Sequence, residues 1–583
     1  MKKNIYIIGL LFLVLFVIIA VKAYFLQILT SQELSKKIRS QHKRRISLAP
    51  TRGTIYDRNG AEMAMSIDVE SLFVRPHQVD TPGSVARQLA PIIGMSRATI
   101  TRKLKSRKSF VWLKRKVTPS QAEKIRALSL NGLDFVKETQ RFYPNKELAG
   151  QLIGFAGIDA QGLEGLERAY DDVLRGTGRE IEADRDALGR YLVLEGLDKT
   201  SDVQGHNLVL TIDKNIQYIA EKELAAAVSL SKAKSGISIV MDPWSGEVLA
   251  MAMAPRFNPN RFSESRPEIW RNRAVTDVYE PGSTFKAFLV ASALEERLIK
   301  PRDIFFCENG SFRVANNTIH DVHKYGWLSV TKILKYSSNI GASKIGKSLG
   351  NESFYRYIRK FGFGEETGIQ VPIEASGFVP LPYRLSVHTQ SAITFGQGIS
   401  VTPLQLAAAY SAIANGGRLL RPSLVKRITD HKGTVIQERR PYVRRTVISA
   451  ETAAIVTRML KGVITDDGTG IKAAVSGFSV AGKTGTSQKL EKSSGRYSHK
   501  KSIASFAGFI PADSRPRLTI LVIIDEPQRM SYGGEIAAPV FSRIAQLVLN
   551  YIQVTPDSLP QQAPAVRLKR ILASRSPVVT DET

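Results

Sequence analysis

The chain has 583 residues, of which 43% are hydrophobic and 23% are charged, and its formal net charge is +29 at pH 7. The length predicts two or three domains, and the composition excludes a disordered chain. A large positive charge is typical of nucleic-acid-binding proteins. Here the basic residues are spread over the whole chain and no nucleic-acid-binding motif occurs. We therefore predict no nucleic-acid partner. We attribute the charge to a cationic surface that faces anionic lipid or an anionic polymer. Cys307 is the only cysteine, which excludes an intrachain disulfide.

A membrane anchor is predicted at the start of the chain. Residues 5–21 are an uninterrupted run of seventeen uncharged, mostly aliphatic residues, and two lysines precede them. Such a run is typical of a helix that enters a bilayer, and no small-residue cleavage site follows it. We therefore predict that residues 1–30 form a cytoplasmic stub and an uncleaved single-pass anchor. Six basic residues between 36 and 45 do not decide its orientation, because long domains translocate largely regardless of such charges.

Residues 31–205 are predicted to form a separate α+β domain. Residues 52–60 place an Asn-Gly turn between two strand-like runs, which is typical of a β-hairpin. Residues 102–116 carry eight Lys or Arg around an apolar core, a pattern that indicates a solvated basic face. Residues 162–178 indicate an amphipathic helix that ends at a glycine. No nucleophile with a neighbouring base occurs here, so we predict a structural or partner-binding role.

A second α+β domain is predicted over residues 206–554, as one antiparallel sheet with helices on both sides. The tail over residues 555–583 contains four prolines and is predicted to be disordered. We expect strands at 208–213, 237–242, 248–254, 478–486, 503–509 and 518–524, and helices at 216–230, 287–294, 330–336, 404–414 and 539–551.

A nucleophile with its own base is predicted at Ser283. The Pro281-Gly282 turn before it and the apolar run after it place Ser283 in the first turn of a buried helix, among unpaired backbone N–H groups. Lys286 lies three residues on, on the same face. An apolar setting lowers the pKa of a lysine, so Lys286 is predicted to lose its proton readily and to accept the proton of the serine.

The Ser-x-x-Lys pattern alone is weak, because it also occurs at Ser40, Ser229, Ser329 and Ser423. Two further motifs distinguish Ser283. Ser337-Ser-Asn339 and Lys483-Thr-Gly-Thr486 follow it in that order. Together the three motifs are the signature of penicillin-binding proteins and serine β-lactamases.

The whole chain resembles the class B penicillin-binding proteins, which are monofunctional peptidoglycan D,D-transpeptidases. The resemblance rests on the anchor, on residues 52–60 and 162–167 of the first domain, on the three motifs, and on Gly396-Gln-Gly398. It implies a non-catalytic pedestal followed by the penicillin-recognising fold. It also implies cross-linking of cell-wall stem peptides outside the cytoplasmic membrane, with β-lactams as covalent inhibitors.

The resemblance assigns a role to each residue of the first two motifs. Ser283 is expected to attack the D-Ala–D-Ala carbonyl, and Lys286 is the expected base. Ser337 is expected to relay the proton to the departing D-Ala. Asn339 is expected to hydrogen-bond Lys286 and the substrate backbone.

The third motif is expected to bind the substrate. Lys483 is expected to depress the pKa of Lys286 and to attract the terminal carboxylate. Thr484 and Thr486 are expected to offer hydroxyls to that carboxylate, and Gly485 to let the strand approach the substrate closely. The backbone N–H groups of Ser283 and Thr486 are the expected oxyanion hole. No metal or other cofactor is implied, and residues 320–323 (His-Asp-Val-His) are predicted to be a loop feature.

Alternatives to a septal transpeptidase stay open at this point. A β-lactamase or β-lactam sensor shares the three motifs, but the usual Glu-x-x-Leu-Asn of a class A hydrolase is absent between Asn339 and Lys483. A silent wall scaffold is disfavoured because every catalytic residue type is present. Glu280 and the modest pedestal resemble division-specific rather than elongation-specific members. That resemblance implies a membrane-embedded glycan polymerase and other septal membrane proteins as partners.

Overall fold

The structure is a computed structural model that describes residues 2–25, 27, 43–48, 51–176, 179–185, 191–192, 204–315, 317–491 and 496–557. The chain divides into two compact units. The first combines residues 1–53, 68–139 and 172–206, and the second combines residues 54–67, 140–171 and 207–583. Each unit therefore contains segments that are far apart in the sequence. The predicted disordered tail lies outside the described residues from position 558 onward.

One helix of the described residues, over residues 3–24, is long and apolar enough to cross a membrane. The other helices are short or amphipathic. In chain order the helices are α1 Lys2–Tyr24, α2 Pro82–Ile93, α3 Arg97–Leu104, α4 Pro119–Ala127, α5 Gly150–Ile153, α6 Gly165–Ala169, α7 Asp171–Leu174, α8 Lys214–Ser231, α9 Pro267–Trp270, α10 Arg273–Thr276, α11 Lys286–Glu295, α12 Val330–Tyr336, α13 Asn339–Leu349, α14 Asn351–Lys360, α15 Val387–Ile393, α16 Pro403–Ala414, α17 Ala450–Lys461 and α18 Gly533–Tyr551.

The strands of the described residues form several sheets, most of them antiparallel. In chain order the strands are β1 Lys43–Leu48, β2 Ile55–Tyr56, β3 Glu62–Val74, β4 Val111–Val117, β5 Leu133–Phe142, β6 Arg179–Arg185, β7 Tyr191–Leu192, β8 Asn207–Leu210, β9 Ser235–Met241, β10 Val248–Ala254, β11 Ile304–Phe306, β12 Ser311–Val314, β13 Asn317–His320, β14 Trp327–Ser329, β15 Arg418–Leu420, β16 Val425–Thr429, β17 Val435–Glu438, β18 Val443–Thr446, β19 Ala481–Glu491, β20 Arg496–Ile510 and β21 Leu518–Asp525.

In the first unit, helices α2, α3 and α4 pack on the antiparallel pair formed by β4 and the end of β3. Apolar residues recur every four positions along α2, and these residues are buried against the strands. Residues 102–116 do not form a wholly solvated basic face, which corrects the prediction. Lys103 donates to the carbonyl oxygens of Trp112 and Leu113, and Lys114 donates to that of Ile93. These two lysines therefore donate to backbone oxygens instead of lying wholly in solvent.

The second unit is built on a five-stranded antiparallel sheet in the order β10-β9-β21-β20-β19. Strands β9, β10 and β21 are buried along their whole length, which requires cover on both faces. Helices α8 and α18 cover one face, and Phe541 of α18 packs there on Phe506 of β20. Helix α16 packs against β9, β20 and β21. The predicted sheet with flanking helices is confirmed.

The predicted turn at residues 52–60 is confirmed within the second unit. Strands β2 and the start of β3 pair antiparallel across Asn59-Gly60, and Gly60 has a φ of 87°. Asp57, which is buried, accepts hydrogen bonds from the N–H groups of Asn59 and Ala61. A second oxygen of Asp57 accepts from the N–H of Lys214 at 3.0 Å, so the turn is fixed to the start of α8.

The predicted elements of the second unit are found, but several differ in extent. Strand β8 ends at Leu210 rather than at residue 213, β19 covers Ala481–Glu491, and β20 begins at Arg496, seven residues before its predicted start.

The sequence predicts that the last helix begins at Pro539. In the structure it begins six residues earlier, at Gly533. Pro539 lacks an N–H and so removes one backbone hydrogen bond, but burial of the surrounding residues of α18 offsets that loss. The helix expected over residues 162–178 lies partly outside the described residues. Over residues 162–176 the chain forms two short helices, α6 and α7, because Tyr170 between them has a φ of −119° and leaves the helical conformation.

Candidate active site

Ser283 lies in a 3-10 turn, Gly282–Phe285, which leads directly into the buried helix α11. The helix is buried from Lys286 to Leu294, as its apolar sequence predicts. Two contacts hold the turn in place. The hydroxyl of Tyr410 in α16 donates to the carbonyl oxygen of Thr284 at 2.8 Å, and Phe285 packs on Phe363 with ring centroids 5.1 Å apart. Ser283 therefore lies on a buried support that is held in place by packing and by a hydrogen bond.

The amine of Lys286 is enclosed by polar atoms from two motifs. The side chain is 1% exposed. Its Nζ lies 3.1 Å from Ser283 Oγ, 2.8 Å from Asn339 Oδ1, 2.6 Å from the carbonyl oxygen of Ser337 and 3.2 Å from Ser337 Oγ. Burial lowers the pKa of Lys286 to about 7, while the negative charge of Asp321 acts in the opposite direction. A neutral amine is therefore available near neutral pH.

The Ser-x-Asn motif joins helices α12 and α13. Ser337 ends α12 in the left-handed conformation, with a φ of 63°, which is uncommon for a residue other than glycine. Ser338 caps α13 by accepting from the N–H of Gly341. Asn339 begins α13, and its amide nitrogen donates to the carbonyl oxygen of His320 at 2.9 Å. That bond turns the amide oxygen of Asn339 toward Lys286.

Asp321 supports this motif and was not identified from the sequence, where residues 320–323 are predicted to be a loop feature. Its carboxylate accepts from Ser338 Oγ at 2.6 Å and from the N–H groups of Asn339 and Ile340 at 2.5 and 3.1 Å. A carboxylate at a helix N-terminus satisfies unpaired N–H groups and complements the helix dipole. The one signal for this contact in the sequence is the pair of serines before Asn339. The pair marks the start of a helix, but it does not reveal that Asp321 binds there.

Lys483 lies on β19 and is fully buried. Its Nζ donates to the carbonyl oxygen and the hydroxyl of Thr484 at 3.1 and 3.2 Å. Burial, together with the nearby charge of Lys286, holds the pKa of Lys483 well below its usual value. Burial is the main cause that lowers the pKa of both amines. The repulsion between the charges of Lys286 and Lys483 adds to this effect, because two buried amines of like charge disfavour each other's protonated form.

Gly485 allows β19 to pack against the nucleophile turn. A Cβ at Gly485 would lie 2.4 Å from Ser505 Oγ and 2.9 Å from the Thr284 methyl group, so a side chain there would displace the strand. The structure shows a close approach of Gly485 to two protein segments, and its expected approach to substrate stays a prediction. Gly485 does not line the cavity in front of Ser283.

A cavity of about 510 Å³ opens in front of Ser283. The structure brings most of the predicted site residues to it, while Lys286 and Lys483 lie behind its wall. Other wall residues were missed, because their place depends on tertiary packing. Two of them, Gln397 and His323, belong to stretches noted in the sequence, residues 396–398 and 320–323. The predicted residues on the wall are Ser283, Ser337, Asn339, Thr484 and Thr486, and the missed ones include His323, Tyr336, Gln397, Tyr532 and Glu535.

The arrangement is chemically suited to acyl transfer, because a serine hydroxyl lies beside a buried amine and a strand edge carries hydroxyls across the cavity. Two family profiles match the chain. Residues 236–546 match the Penicillin binding protein transpeptidase domain, and residues 47–210 match the Penicillin-binding Protein dimerisation domain.

Named relatives cover nearly the whole chain. It is 34% identical to Stage V sporulation protein D of Bacillus subtilis, covering 95% of this chain and 86% of that protein. It is also 34% identical to Peptidoglycan D,D-transpeptidase FtsI of Escherichia coli K12, covering 92% of this chain and 89% of that protein. A crystal structure of Penicillin binding protein 3 from Mycobacterium tuberculosis complexed with aztreonam is similar in fold. Its TM-score is 0.69 at 29% identity, covering 88% of this chain and all of that chain.

The chain therefore belongs to the class B penicillin-binding proteins, the family of peptidoglycan D,D-transpeptidases. The predicted family is confirmed. The predicted fold class is confirmed with it: an α+β chain with an N-terminal apolar helix, a dimerisation-type pedestal and a transpeptidase domain.

Proposed function

We propose that the transpeptidase reaction runs through an acyl-enzyme on Ser283, with Lys286 as the base. The observation that carries this proposal is the set of acceptors around the Lys286 amine. A neutral amine has two N–H groups and one lone pair. The carbonyl oxygen of Ser337 and Oδ1 of Asn339, at 2.6 and 2.8 Å, can only accept, so they take the two N–H groups. The lone pair then faces the Ser283 hydroxyl at 3.1 Å.

This arrangement supports proton transfer in both halves of the acylation step. Ser283 Oγ bonds to the carbonyl carbon of the penultimate D-Ala, and its proton passes to Lys286 Nζ. The bond from that carbon to the terminal D-Ala nitrogen then breaks. The proton moves from Lys286 through Ser337 Oγ, 3.2 Å away and on the cavity wall, to the departing amine. An acceptor amine from a second stem peptide reverses the sequence and forms the cross-link.

The wall opposite Ser283 supports recognition of the D-Ala carboxylate. Thr484 and Thr486 line the cavity, and Lys483 lies directly behind Thr484. We assign the two threonine hydroxyls to the carboxylate and the backbone N–H groups of Ser283 and Thr486 to the oxyanion. Each oxyanion donor contributes roughly 3–4 kcal/mol to acyl transfer in serine enzymes.

The cellular assignment is a division-site enzyme outside the cytoplasm. The apolar helix α1 supports a single-pass anchor in the cytoplasmic membrane, and the extracellular wall substrate sets its orientation. The similarity to the transpeptidase FtsI and to Stage V sporulation protein D supports the septal role. A membrane-embedded glycan polymerase and other septal membrane proteins are the proposed partners. We also propose the boundaries 1–30, 31–205, 206–554 and 555–583 for anchor, pedestal, catalytic domain and tail.

A cross-linking assay tests the reaction. Full-length protein in detergent is mixed with nascent glycan that carries pentapeptide stems, and the products are resolved by mass spectrometry. Wild-type protein is expected to give cross-linked stems and free D-Ala, and Ser283→Ala neither. Free D-Ala without any cross-link would show that the protein acts as a carboxypeptidase and not as a transpeptidase. Cross-links formed by Ser283→Ala would overturn the proposed nucleophile.

A hydrolase is the second candidate, because Glu535 lies on the cavity wall. A β-lactamase needs a carboxylate that activates water for deacylation. Glu535 is ion-paired with Lys472, which favours a structural role. Glu535→Gln separates the two functions: an unchanged lifetime of the penicilloyl ester supports the transpeptidase, and a much longer lifetime supports the hydrolase.

A further inference from the structure

Glu280 lies three residues before Ser283 and connects its own segment with two others that contribute residues to the cavity wall. Its Oε1 accepts a hydrogen bond from the N–H of Gly398 at 3.0 Å. Both of its carboxylate oxygens lie 3.1 Å from the hydroxyl of Tyr497, which donates to them. Glu280 itself does not line the cavity, so its contacts are with the protein.

The first segment is the loop over residues 396–401. It runs beside residues 279–282, with backbone hydrogen bonds in both directions between Tyr279 and Val401 and a further one from the Gly282 N–H to the Gly396 carbonyl oxygen. A Cβ at Gly396 would lie 2.3 Å from the Gly282 carbonyl oxygen, so the two segments touch closely. Gln397 of this loop lines the cavity. The bond from Gly398 to Glu280 therefore fixes a wall of the cavity to the residue that leads into the nucleophile turn.

The second segment is the hairpin of β19 and β20. Tyr497 lies on β20 opposite Leu490 of β19, four residues beyond Thr486. Between the pairs Gln488–Ser502 and Leu490–Tyr497, β20 advances five residues while β19 advances two. Extra residues of this kind bend a strand and re-aim its side chains. The bend brings the Tyr497 hydroxyl to Glu280, so the strand that carries the third motif is attached to the same carboxylate.

The chemistry of the cluster is that of a hydrogen-bonded anchor rather than an ion pair. Among the described residues, no Lys or Arg forms a salt bridge with Glu280. Burial raises the pKa of Glu280, and burial together with the Glu280 charge raises the pKa of Tyr497, so the phenol keeps its proton and stays a donor. A carboxylate that accepts both an N–H and an O–H holds two elements at once.

We propose that Glu280 is a positioning residue which, through Tyr497 and Gly398, sets the separation between Ser283 and the strand edge at Thr484–Thr486. The inference rests on the proposed serine mechanism. The oxyanion donors of that mechanism come from both sides, one from the nucleophile turn and one from β19. Their separation matters most in the transition state, because a donor displaced by about 1 Å costs on the order of a hundredfold in rate.

The test compares acylation of full-length variants in detergent by a fluorescent penicillin, followed by stopped flow. Rapid kinetics separate the initial dissociation constant Ks from the rate constant k2 for ester formation. Tyr497→Phe removes one donor with little change in shape, and Glu280→Ala removes the acceptor. Glu280→Gln keeps an oxygen that accepts. Tyr218→Phe and Glu264→Gln, at exposed sites elsewhere in the same unit, are the matched controls.

We expect Tyr497→Phe to lower k2 about tenfold while Ks changes less than twofold. Glu280→Ala is expected to lower k2 further, and Glu280→Gln to retain most of it. The double variant Glu280→Ala with Tyr497→Phe is expected to have the same k2 as Glu280→Ala alone. Each single change already removes the hydrogen bond between Tyr497 and Glu280, so the second change has nothing further to remove. Thermal melts of each variant identify any change that is caused by unfolding.

Two outcomes overturn the proposal. One is a k2 for Tyr497→Phe and Glu280→Ala within twofold of wild type. The other is strict additivity of the two changes, which means that the residues act separately. Failure of the proposed function gives a different result, since wild-type protein itself then forms no ester at Ser283.

Discussion

The backbone N–H of Asn339 donates to the carboxylate of Asp321 at 2.5 Å, while the side-chain oxygen of Asn339 accepts from Lys286 at 2.8 Å. One residue thus links a buried base to an acid that lies outside the three motifs. Asp321 affects the site in two ways. It holds the start of α13, and its charge raises the pKa of Lys286 against the effect of burial.

Removal of that charge is predicted to shift the pH dependence of acylation. In Asp321→Asn the pKa of Lys286 falls below about 7, because burial then acts without opposition. The acid limb of the k2 profile therefore moves to lower pH. The plateau value of k2 falls, because the amide at position 321 accepts fewer hydrogen bonds from the N–H groups of Asn339 and Ile340 than the carboxylate does. The profile is measured with a fluorescent penicillin between pH 5 and 9, with exposed Asp80→Asn as control. A limb that moves to higher pH contradicts the assignment.

The base itself is predicted to destabilise the fold. A buried lysine whose pKa falls from 10.5 to about 7 costs roughly 4 kcal/mol at pH 7. Between these two pH values the unfolded chain binds a proton that the folded chain releases, so the cost shrinks as the pH rises and is lost above 10.5. Lys286→Met removes the cost but leaves two acceptors without a donor, which costs about 1–3 kcal/mol for each acceptor at every pH.

We therefore expect Lys286→Met to form no ester, and its stability relative to wild type to fall as the pH rises from 7 to 10. Thermal and urea unfolding of the full chain at several pH values measure the difference. A stability difference that does not change between pH 7 and 10, or a variant that acylates at the wild-type rate, contradicts the buried-base account.

Lys483 is predicted to take up a proton when substrate binds. Its pKa is held well below the usual value, and a carboxylate at Thr484 and Thr486 favours the charged amine. In a Ser283→Ala background, titration calorimetry with a stem pentapeptide in buffers of different ionisation enthalpy counts this proton. The added change Lys483→Met is expected to abolish the uptake and weaken binding. Equal uptake in both proteins would assign the proton to another group.

The sequence motifs predicted which side chains meet in the site better than they predicted the supporting contacts. Ser283 and Lys286 were placed side by side because three residues along a helix bring two side chains to one face, and their side chains lie 3.1 Å apart. Asp321 was missed because its partners lie 17–19 positions away and meet it only when β13 and α13 pack together. The early start of α18 was missed because burial outweighs the local cost of Pro539. Local patterns therefore gave reliable elements, and tertiary contacts decided their ends and partners.

The division role is predicted to appear in cells. Depletion of the protein in its host is expected to give long filaments without septa, since septal cross-linking stops while elongation continues. Microscopy with a membrane stain checks the result. A reporter that is active only outside the membrane, fused after Val554, should also be active. Swollen or rounded cells would place the enzyme in elongation instead.

The most direct test of the account is the covalent capture of a labelled penicillin. The strained amide and carboxylate of the drug match the D-Ala–D-Ala terminus, and Ser283 opens the ring. The leaving nitrogen stays tethered and blocks the acceptor amine, so the ester is expected to persist for many minutes. We predict one label per chain, mapped by peptide mass spectrometry to Ser283, and none in Ser283→Ala. Label on another residue, rapid turnover of the drug, or no label on correctly folded protein would contradict the account.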